Sequence, residues 1–373
     1  MKILFLVTGM GLGGAEVQIS ELAKRMTSLG HEVHIAWMTG EAGIALPEGV
    51  REHPFRINKT PWGFIKAIWS LRKLVRQIRP DVIHAHMVHA NLLARVTRLT
   101  RGFAVPLICT AHNSNEGGKF RMLAYRLTDR LADLTTNVSS HAVDAFIEQG
   151  ASTMGRIVTV HNGIDVERFA PNELHRQSQR DLLEASDKVV ILIVGRLEYQ
   201  KNHHSLLRAY AAIAEAYPDT NLLVVGYGSL ESELKALVQT LGISDQVSFL
   251  GARVDTPVLF NAADIVVVSS RFEGFGLVLA EGMACAKYIV TTDCGGIAAV
   301  LRDLGQGFGL VVPVEDDMAL QVALQTAIET PHNVRIQAGE KARAHVVEHY
   351  SIDSITKQWL DIYKRFVEPN AKA

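Results

Sequence analysis

The stretch KILFLVTGMGLGGAE, residues 2–16, decides the fold class. It starts with an apolar segment, Lys2–Thr8, turns through a run of glycines and enters an amphipathic pattern at about Gly14. A strand that is apolar at successive positions is buried on both faces, as in a parallel sheet covered by helices. A strand that leads into a helix through a tight glycine turn is the basic unit of such a sheet. We therefore predict an α/β fold with parallel strands.

The same unit recurs in two series along the 373 residues, a length that suits two domains. The predicted strands of the first series are Lys2–Thr8, Glu32–Met38, Asp81–Ala85, Leu107–Thr110, Leu134–Asn137 and Arg156–Val160, and those of the second are Val189–Val194, Asn221–Val225, Val247–Leu250, Ile265–Val268, Tyr288–Thr291 and Gly309–Val311. Helices between parallel strands imply right-handed crossovers, and hence two Rossmann-like domains. A polar segment at residues 166–187 separates the series, so we place the domains at residues 1–168 and 169–350. Residues 351–373 follow with a last amphipathic helix, for which the apolar pattern alone does not choose between the two domains.

The composition is that of an ordinary globular protein. Three widely spaced cysteines form neither a disulfide framework nor metal-ligand pairs, which indicates a reducing compartment and hence the cytoplasm. The N-terminal apolar run is too short for a secretion signal, and no apolar run approaches the length of a transmembrane helix. Residues 1–170 hold 20 Lys+Arg against 14 Asp+Glu, and the rest hold 18 against 25. The basic first half suits an anionic partner such as a lipid phosphate, solvated helices being the alternative; no nucleic-acid partner is expected.

Gly9, Gly11 and Gly14 follow the first strand with the spacing of the dinucleotide-binding fingerprint. They let the backbone approach a ligand, and the N-terminus of the next helix suits a phosphate. The fingerprint also requires an acidic residue at the end of the second strand to hold a ribose. Here that strand ends in Met38-Thr39, with Glu41 only beyond it. An NAD-dependent oxidoreductase is therefore an alternative that lacks its confirming residue, and a turn that only packs helix against strand is another.

A second loop, VGRLEYQKN at residues 194–202, opens the second series. It places Arg196 and Lys201 at the carboxyl end of a strand, where open α/β sheets bind ligands. A guanidinium and an ammonium together suit a diphosphate, and they stabilise the charge of a diphosphate leaving group without a metal. Taken alone, two cations in a surface loop are too common to assign a site.

The most informative stretch is SSRFEGFGLVLAE, residues 269–281. Glu273 lies in a glycine-rich loop, and Glu281 lies about one turn inside a helix that starts near Gly276. The N–H groups that begin this helix suit an anion. Because a carboxylate is repelled by a diphosphate, these two side chains are suited to accept hydrogen bonds from hydroxyl groups, Glu281 from a ribose and Glu273 from a sugar.

Glu273 and Glu281, with seven residues between them, resemble the E-x7-E motif of the GT4-like retaining glycosyltransferases. Further motifs of that family occur in the same order over essentially the whole chain: Gly13-Gly14-Ala15-Glu16, His112-Asn113, His161-Asn162-Gly163-Ile164-Asp165, Gly195-Arg196 with Lys201, and Asn261-Ala262-Ala263-Asp264. Each motif is moderately specific, whereas the ordered set is strongly so.

The resemblance implies a GT-B fold, in which two Rossmann-like domains with parallel sheets face a central cleft. The C-terminal domain would bind the nucleotide sugar, the N-terminal domain would bind the acceptor, and the last helix would cross back onto the N-terminal domain. The donor would be a UDP-sugar or, second, a GDP-sugar, and the acceptor would be a glycan or a lipid-linked acceptor of bacterial surface polysaccharide synthesis. The implied route is front-face attack with retention, without a protein nucleophile, a metal or another cofactor.

The resemblance also implies roles for single residues. Glu281 would hold the ribose, Glu273 the donor sugar, and Arg196 with Lys201 the diphosphate. His112 would position the donor sugar or the acceptor. The other implied donor-binding residues contribute backbone groups or contact the base: Gly13, Gly14, Arg253, Val254, Gly274, Phe275, Gly276 and Leu277.

Two segments depart from the family pattern, and the first lies beyond the two glutamates, where it adjusts the entry into the next strand. After the second glutamate the family commonly has Ala-Met-Ala-x-Gly-x-Pro, whereas residues 282–288 are GMACAKY. Where the family usually has Pro-Glu, residues 295–299 are GGIAA. The second change removes a carboxylate from the site and leaves the identity of the donor sugar open.

A metal site and other protein classes are the alternatives to this interpretation. His84, His86, His89 and His112 cluster at predicted strand ends, but no third-ligand pattern supports a metal. The sequence has no Asp-x-Asp pair and no Gly-x-Ser-x-Gly elbow, which disfavours a metal-dependent Asp-x-Asp transferase and a hydrolase of that type. A nucleotide-sugar epimerase, which needs no acceptor, is a further alternative. A binding module with a degenerate site is disfavoured because both glutamates and both cations are present.

Residues 55–79 predict a basic amphipathic helix with aromatic side chains. They combine Trp62, Phe64 and Trp69 with Lys59, Lys66, Arg72, Lys73, Arg76 and Arg79, and residues 119–130 add Lys119, Arg121, Arg126 and Arg130. Such helices are typical of proteins that rest on anionic lipid, so peripheral contact with the inner face of the membrane is a hypothesis. An ordinary crossover helix is the alternative.

Overall fold

The computed structural model describes residues 1–11, 13–58, 60–114 and 116–368. Their contacts form two compact units: unit 1 is Met1–Gly163 with the last helix, and unit 2 is Ile164–Ser351. The division therefore falls at residue 163, whereas the sequence placed it at 168. It falls there because the N–H of Gly163 donates to Gln18 in unit 1, while the N–H of Ile164 donates to the Tyr350 carbonyl in unit 2.

Unit 1 contains a seven-stranded parallel sheet in the order β3-β2-β1-β4-β5-β6-β7. Its strands are β1 Lys2–Gly9, β2 Glu32–Thr39, β3 Arg51–Pro54, β4 Val82–His86, β5 Leu107–Ala111, β6 Leu134–Asn137 and β7 Ile157–Thr159. Its helices are α1 Gly14–Ser28, α2 Pro61–Ile78, α3 Val88–Leu99, α4 Lys119–Thr128, α5 Ser140–Glu148 and α14 Ile352–Val367. Successive side chains of β1 point to opposite faces: Ile3 and Phe5 pack with α1 and α14, and Leu4 and Leu6 pack with α2 and α3. Burial on both faces explains why the strand is apolar at every position.

Unit 2 contains a six-stranded parallel sheet in the order β10-β9-β8-β11-β12-β13. Its strands are β8 Val189–Val194, β9 Thr220–Val225, β10 Val247–Gly251, β11 Ile265–Val268, β12 Tyr288–Thr292 and β13 Leu310–Val312. Its helices are α6 Glu173–Leu182, α7 His203–Ala214, α8 Glu231–Thr240, α9 Thr256–Ala262, α10 Leu277–Ala284, α11 Ile297–Leu304, α12 Asp317–Glu329 and α13 His332–Tyr350. The order of the strands reverses between β8 and β11, which is the position where open α/β sheets bind ligands.

Each of the twelve predicted strands coincides with an observed strand to within one residue at either end. The strand that the sequence did not predict is β3, Arg51–Pro54. It lies at the edge of its sheet and pairs only with β2 among the described residues. Because an edge strand is half solvated and tolerates proline, its polar sequence carries no strand signal.

The last helix, α14, packs on unit 1. Trp359 and Tyr363 lie in the same apolar cluster as Phe5, and the carboxylate of Asp353 lies 3.2 Å from the Arg25 guanidinium. None of the described helices has both the length and the apolar character needed to cross a membrane.

Candidate active site

Two loops meet at the carboxyl edge of the sheet of unit 2, one after β8 and one after β11. These strands are neighbours in the sheet, and the strand order reverses between them. The β8 loop carries Arg196 and Lys201, and the β11 loop carries Glu273. The topology therefore brings together residues that are 72 positions apart in the chain.

Lys201 and Glu273 form an ion pair within these loops. The Nζ of Lys201 donates to Oε1 of Glu273 at 2.6 Å, and the hydroxyl of Ser270 donates to the same oxygen at 2.7 Å. Both side chains are mostly shielded from solvent, at 18% and 11% exposure. An ammonium has three N–H donors, so Lys201 can bind Glu273 and still offer donors to an anion. Arg196, by contrast, is exposed.

Hydrogen bonds between the two loops hold this ion pair in place. The hydroxyl of Ser269 donates to the carbonyl of Lys201 at 2.9 Å. The N–H of Arg271 donates to the carbonyl of Gln200 at 2.8 Å, and the amide of Gln200 donates to the carbonyl of Phe272 at 2.9 Å. Because the bonds run in both directions, the ammonium and the carboxylate are positioned before any ligand binds.

A third loop, residues 226–229 after β9, touches the β8 loop and was not singled out in the sequence. A Cβ atom at Gly226 would lie 1.8 Å from the carbonyl oxygen of Gly195, and one at Gly228 would lie 2.3 Å from that of Leu197. The two backbones therefore approach so closely that only glycine fits. Two glycines, one residue apart and directly after an apolar strand, were the signal that could have revealed this loop.

Glu281 is the fifth residue of α10, whose N-cap is Gly276 in the left-handed region (φ 88°). The helix thus begins at Leu277, one residue after the predicted start. Burial raises the pKa of the Glu281 carboxyl to about 7, while the positive charges of Arg168 and Lys201 act in the opposite direction. The carboxyl therefore changes its charge near neutral pH.

Arg168 is a further site residue that the sequence did not indicate. Its guanidinium donates to the carbonyl of Val254 at 3.3 Å and lies over the ring of Phe169. It also acts on the charge of Glu281. Arg168 therefore contacts the segment predicted to bind the base, and its charge acts on the carboxylate predicted to hold the ribose.

Arg253 and Val254 differ in how they are placed. The guanidinium of Arg253 binds both carboxylate oxygens of Asp255, at 2.7 and 2.5 Å. Its charge is therefore already paired within the same loop. The side chain of Val254 is largely exposed, so it is the member of this pair that offers apolar surface to a ligand.

The loop Gly274–Gly276 is held by the segment that departs from the family pattern. The carbonyl of Phe275 accepts the N–H of Ile297 at 2.8 Å, and a Cβ atom at Gly296 would lie 2.2 Å from that carbonyl oxygen. The ring of Phe275 packs edge-on against Tyr350. Gly296 therefore permits a close backbone contact that supports the β11 loop.

In unit 1, His112 follows β5 and lies beside His86 of β4. The Nε2 atom of His112 is 3.1 Å from Nδ1 of His86, and its backbone N–H donates to the carboxylate of Glu116 at 2.9 Å. Burial lowers the pKa of His112 to about 4, so the ring is neutral at physiological pH. Burial also raises the pKa of Glu116, a residue that the sequence did not single out.

The histidine cluster does not form a metal centre in the part of the chain that the structure describes. Both ring nitrogens of His84 are within 2.6 Å of hydroxyl groups, those of Tyr363 and Thr110. His89 instead lines a cavity near α2. Among the described residues, no three His, Cys, Asp or Glu side chains are grouped to hold a metal ion.

The first glycine loop differs from a dinucleotide site. Gly13 is the N-cap of α1, and the carboxylate of Glu16 lies against it, since a Cβ atom at Gly13 would be 2.3 Å from that carboxylate. At the end of β2, the Thr39 hydroxyl donates to the carbonyl of Thr8. Glu41 is exposed and lies 3.5 Å from Arg56. Thr39 therefore lies where the fingerprint needs an acidic residue.

Comparison with known proteins assigns both halves of the chain to glycosyltransferases. Residues 12–168 match the model of Glycosyltransferase Family 4, and residues 175–345 match that of Glycosyl transferases group 1. A D-inositol 3-phosphate glycosyltransferase of Corynebacterium jeikeium is 33% identical over an alignment of 293 positions that covers 72% of this chain and 68% of the relative.

Two further matches extend over most of the chain. The N-acetylgalactosamine-N,N'-diacetylbacillosaminyl-diphospho-undecaprenol 4-alpha-N-acetylgalactosaminyltransferase of Campylobacter jejuni is 27% identical over 88% of this chain and 90% of its own length. The crystal structure of Anabaena Alr3699/HepE in complex with UDP-glucose has a TM-score of 0.85 at 24% identity, and the match covers 97% of this chain and 99% of that one. The second likeness is one of fold.

Proposed function

This chain belongs to the GT4-like glycosyltransferases, enzymes of the GT-B fold that use nucleotide sugars, and we propose that it transfers a hexose from a UDP-sugar, with retention, to a lipid-linked glycan. The observation that carries the proposal is the Lys201–Glu273 ion pair at the switch point of the unit 2 sheet, where the charge of Lys201 also acts on Glu281. Lys201 suits the diphosphate of a nucleotide sugar, and the carboxylates of Glu281 and Glu273 suit the hydroxyl groups of its ribose and of its sugar.

In the proposed reaction, the acceptor hydroxyl attacks C1 of the donor sugar from the side of the leaving group. The bond from C1 to the phosphate oxygen breaks, the new glycosidic bond forms on the same face, and the acceptor proton passes to the leaving phosphate. Lys201 and Arg196 stabilise the charge that develops on the diphosphate, and Glu273 accepts hydrogen bonds from the sugar. His112 positions the donor sugar or the acceptor. No protein nucleophile, metal or other cofactor is included in this route.

Donor binding is the first part to test. Differential scanning fluorimetry and calorimetry with UDP, GDP, ADP, NAD and the corresponding nucleotide sugars measure which ligand stabilises the folded protein. We expect UDP and a UDP-sugar to raise the midpoint, partly because the protein of similar fold from Anabaena was crystallised with UDP-glucose. The same rise should disappear in Glu281→Ala. A shift with GDP alone would change the donor, and a shift with NAD alone would overturn the proposal.

Retention and acceptor dependence need a second measurement. Proton NMR of the product distinguishes retention from inversion by the anomeric coupling of the transferred sugar. Turnover of the nucleotide sugar in the absence of any acceptor, with a new sugar epimer as product, would instead indicate an epimerase.

The lipid-linked acceptor is proposed from helix α2 and the cavity beside it. The hydroxyl of Thr60 caps the helix by accepting the N–H of Gly63. Trp62 and Trp69 are 76% and 64% exposed on the same helix, where apolar side chains are normally covered. The basic residues of α2 that the structure describes are Lys66, Arg72, Lys73 and Arg76, with Arg79 at its C-cap, whereas Lys59 lies outside the described residues. This combination suits a helix that rests on anionic lipid.

The cavity at the carboxyl ends of β1 and β2 has a volume of about 300 Å³. Met38, Ile57 and Phe64 supply much of its wall, and the Thr8 hydroxyl in the same wall already accepts the N–H of Ala90. Such a wall favours an apolar ligand. Helix α4 adds exposed Phe120 and Leu127 beside its basic residues. The Campylobacter relative, whose name specifies an undecaprenol-linked acceptor, supports the same class of acceptor.

A further inference from the structure

We propose that His86 is a positioning residue for the transfer reaction: its Nδ1–H donates to Nε2 of His112 and holds His112 in the tautomer that carries its proton on Nδ1. The inference rests on the proposed function for the role of His112. Its structural part, the tautomer of His112, is independent of that function and can be measured without a substrate.

The geometry of the two rings carries the proposal. His84 and His86 are alternate residues of β4, so both point to the same face of the sheet, and their ring centroids are 3.9 Å apart. The ring of Phe5 lies 5.5 Å from that of His86 on the neighbouring strand. His86 is 1% exposed. The ring is therefore fixed by its neighbours, with Nδ1 directed at His112 at 3.1 Å.

The second nitrogen of His86 decides which ring is the donor. Burial lowers the pKa of His86 well below its usual range and that of His112 to about 4, so both rings are neutral and each carries one proton. Nε2 of His86 is buried and has no hydrogen-bond partner among the described residues. A proton on Nε2 would leave a buried donor unpaired, whereas a proton on Nδ1 leaves only an unpaired acceptor at Nε2, which is the less costly of the two. The proton of His86 therefore lies on Nδ1, and that of His112 on its own Nδ1.

A neighbouring network keeps His84, and with it His86, in place. The hydroxyl of Tyr363 is completely buried and has His84 Nδ1 as its partner at 2.6 Å, so the hydroxyl donates to that nitrogen. His84 then donates from Nε2 to Thr110 at 2.6 Å. This ring has one orientation and one tautomer, and it forms the wall against which His86 packs.

The consequence for the reaction is that His112 offers a hydrogen-bond donor rather than a base. Its Nε2 lone pair is occupied by His86, and its remaining ring atom that can bond a ligand is the Nδ1–H group. Such a donor suits a sugar or acceptor oxygen, and it leaves removal of the acceptor proton to the phosphate. Without His86, the proton of His112 would exchange between the two nitrogens and a fraction of the molecules would lose the donor.

The test compares two substitutions with opposite properties. In His86→Asn the amide nitrogen lies near the position of Nδ1 and keeps the donor, although the smaller side chain leaves a cavity. In His86→Phe the ring volume is kept, but the donor is lost. Long-range ¹H–¹⁵N NMR of the full chain reports the tautomer of His112, whose signals are assigned by their loss in His112→Ala.

We expect the Nδ1–H tautomer for His112 in the wild type and in His86→Asn, and a mixture in His86→Phe. With the nucleotide sugar that the binding screen identifies, kcat should fall about tenfold to a hundredfold in His86→Phe and less in His86→Asn, with little change in KM. The midpoint of thermal unfolding should show the opposite order: it should be lower in His86→Asn, which leaves a cavity, than in His86→Phe, which keeps the ring volume. An Nε2–H tautomer in the wild type, or rates that follow the unfolding midpoints of the two variants, would overturn the proposal. Absence of any nucleotide-sugar turnover would count against the proposed function and leave the NMR result intact.

Discussion

Lowering the pH from 8 to 6 should weaken binding of the nucleotide sugar by protonating Glu281. Binding of two ribose hydroxyls needs both carboxylate oxygens as acceptors, and therefore the ionised form. With a pKa of about 7, the ionised fraction is about 0.9 at pH 8 and about 0.1 at pH 6, so the affinity should fall nearly tenfold, or about 1.3 kcal/mol. The affinity for the nucleotide sugar increases as the pH rises through the raised pKa of Glu281, because the ionised form is the one that binds.

Isothermal titration calorimetry with UDP-glucose suits this measurement, because a diphosphate esterified at both ends has no proton that titrates near neutral pH. His112 and His203, each with a pKa of about 4, do not titrate in this window. Glu281→Gln should bind weakly and without pH dependence. Arg168→Met removes a positive charge that lowers the pKa of Glu281, so its binding midpoint should move to higher pH. If the affinity for UDP-glucose changed with pH equally in the wild type and in Glu281→Gln, this explanation would be wrong.

Three further predictions concern the Lys201–Glu273 pair, the loop after β9 and helix α2. Lys201→Met leaves Glu273 with Ser270 as its hydrogen-bond partner at Oε1 and removes a cation from the leaving group. The kcat, measured by release of the nucleoside diphosphate, should therefore fall at least about a hundredfold. The control Lys235→Met, which removes an exposed ammonium, should leave kcat unchanged. Gly226 has a φ of 143°, and Gly226→Ala places a Cβ atom 1.8 Å from the carbonyl oxygen of Gly195, so this substitution should lower the free energy of unfolding by about 3 kcal/mol or more. In the control Gly11→Ala the Cβ atom meets nothing within 4 Å, and the free energy of unfolding should change by less than about 0.5 kcal/mol. The double substitution Trp62→Ala and Trp69→Ala should reduce co-sedimentation of the protein with anionic vesicles. Substitution of Leu174, an equally exposed apolar residue on α6, by Ala should not reduce it. Equal recovery of the wild type with anionic and neutral vesicles would contradict the membrane hypothesis.

The sequence predicted the two sheets well because their strands are buried on both faces and therefore apolar throughout. It failed at β3, whose polar residues at a sheet edge give no such signal. The apolar pattern also left the position of α14 open, since an apolar stripe on a helix identifies a buried face but not the surface that covers it; the expectation that this helix crosses back onto the N-terminal domain came from the family resemblance alone. The contacts of Trp359 and Tyr363 with unit 1 depend on tertiary packing and not on local pattern.

In the candidate site, the sequence identified residues but not the relations between them. It assigned Lys201 to a diphosphate and Glu273 to a sugar, whereas the structure joins the two in one ion pair. That pairing depends on the adjacency of β8 and β11, which no local motif encodes. The sequence did not indicate Arg168 for the same reason, because its hydrogen bond to Val254 and the effect of its charge on Glu281 arise only in the folded chain.

The raised pKa of Glu281 and the Lys201–Glu273 pair are connected. A dry environment strengthens the hydrogen bonds of an ionised carboxylate, but it also makes ionisation itself unfavourable. Lys201 opposes that cost at Glu281 while it is bound to Glu273, so one ammonium acts on both carboxylates. A diphosphate that draws the ammonium towards itself therefore weakens its effect on both. In the proposed donor complex, the charge of Arg168, which also acts on Glu281, remains to offset that loss.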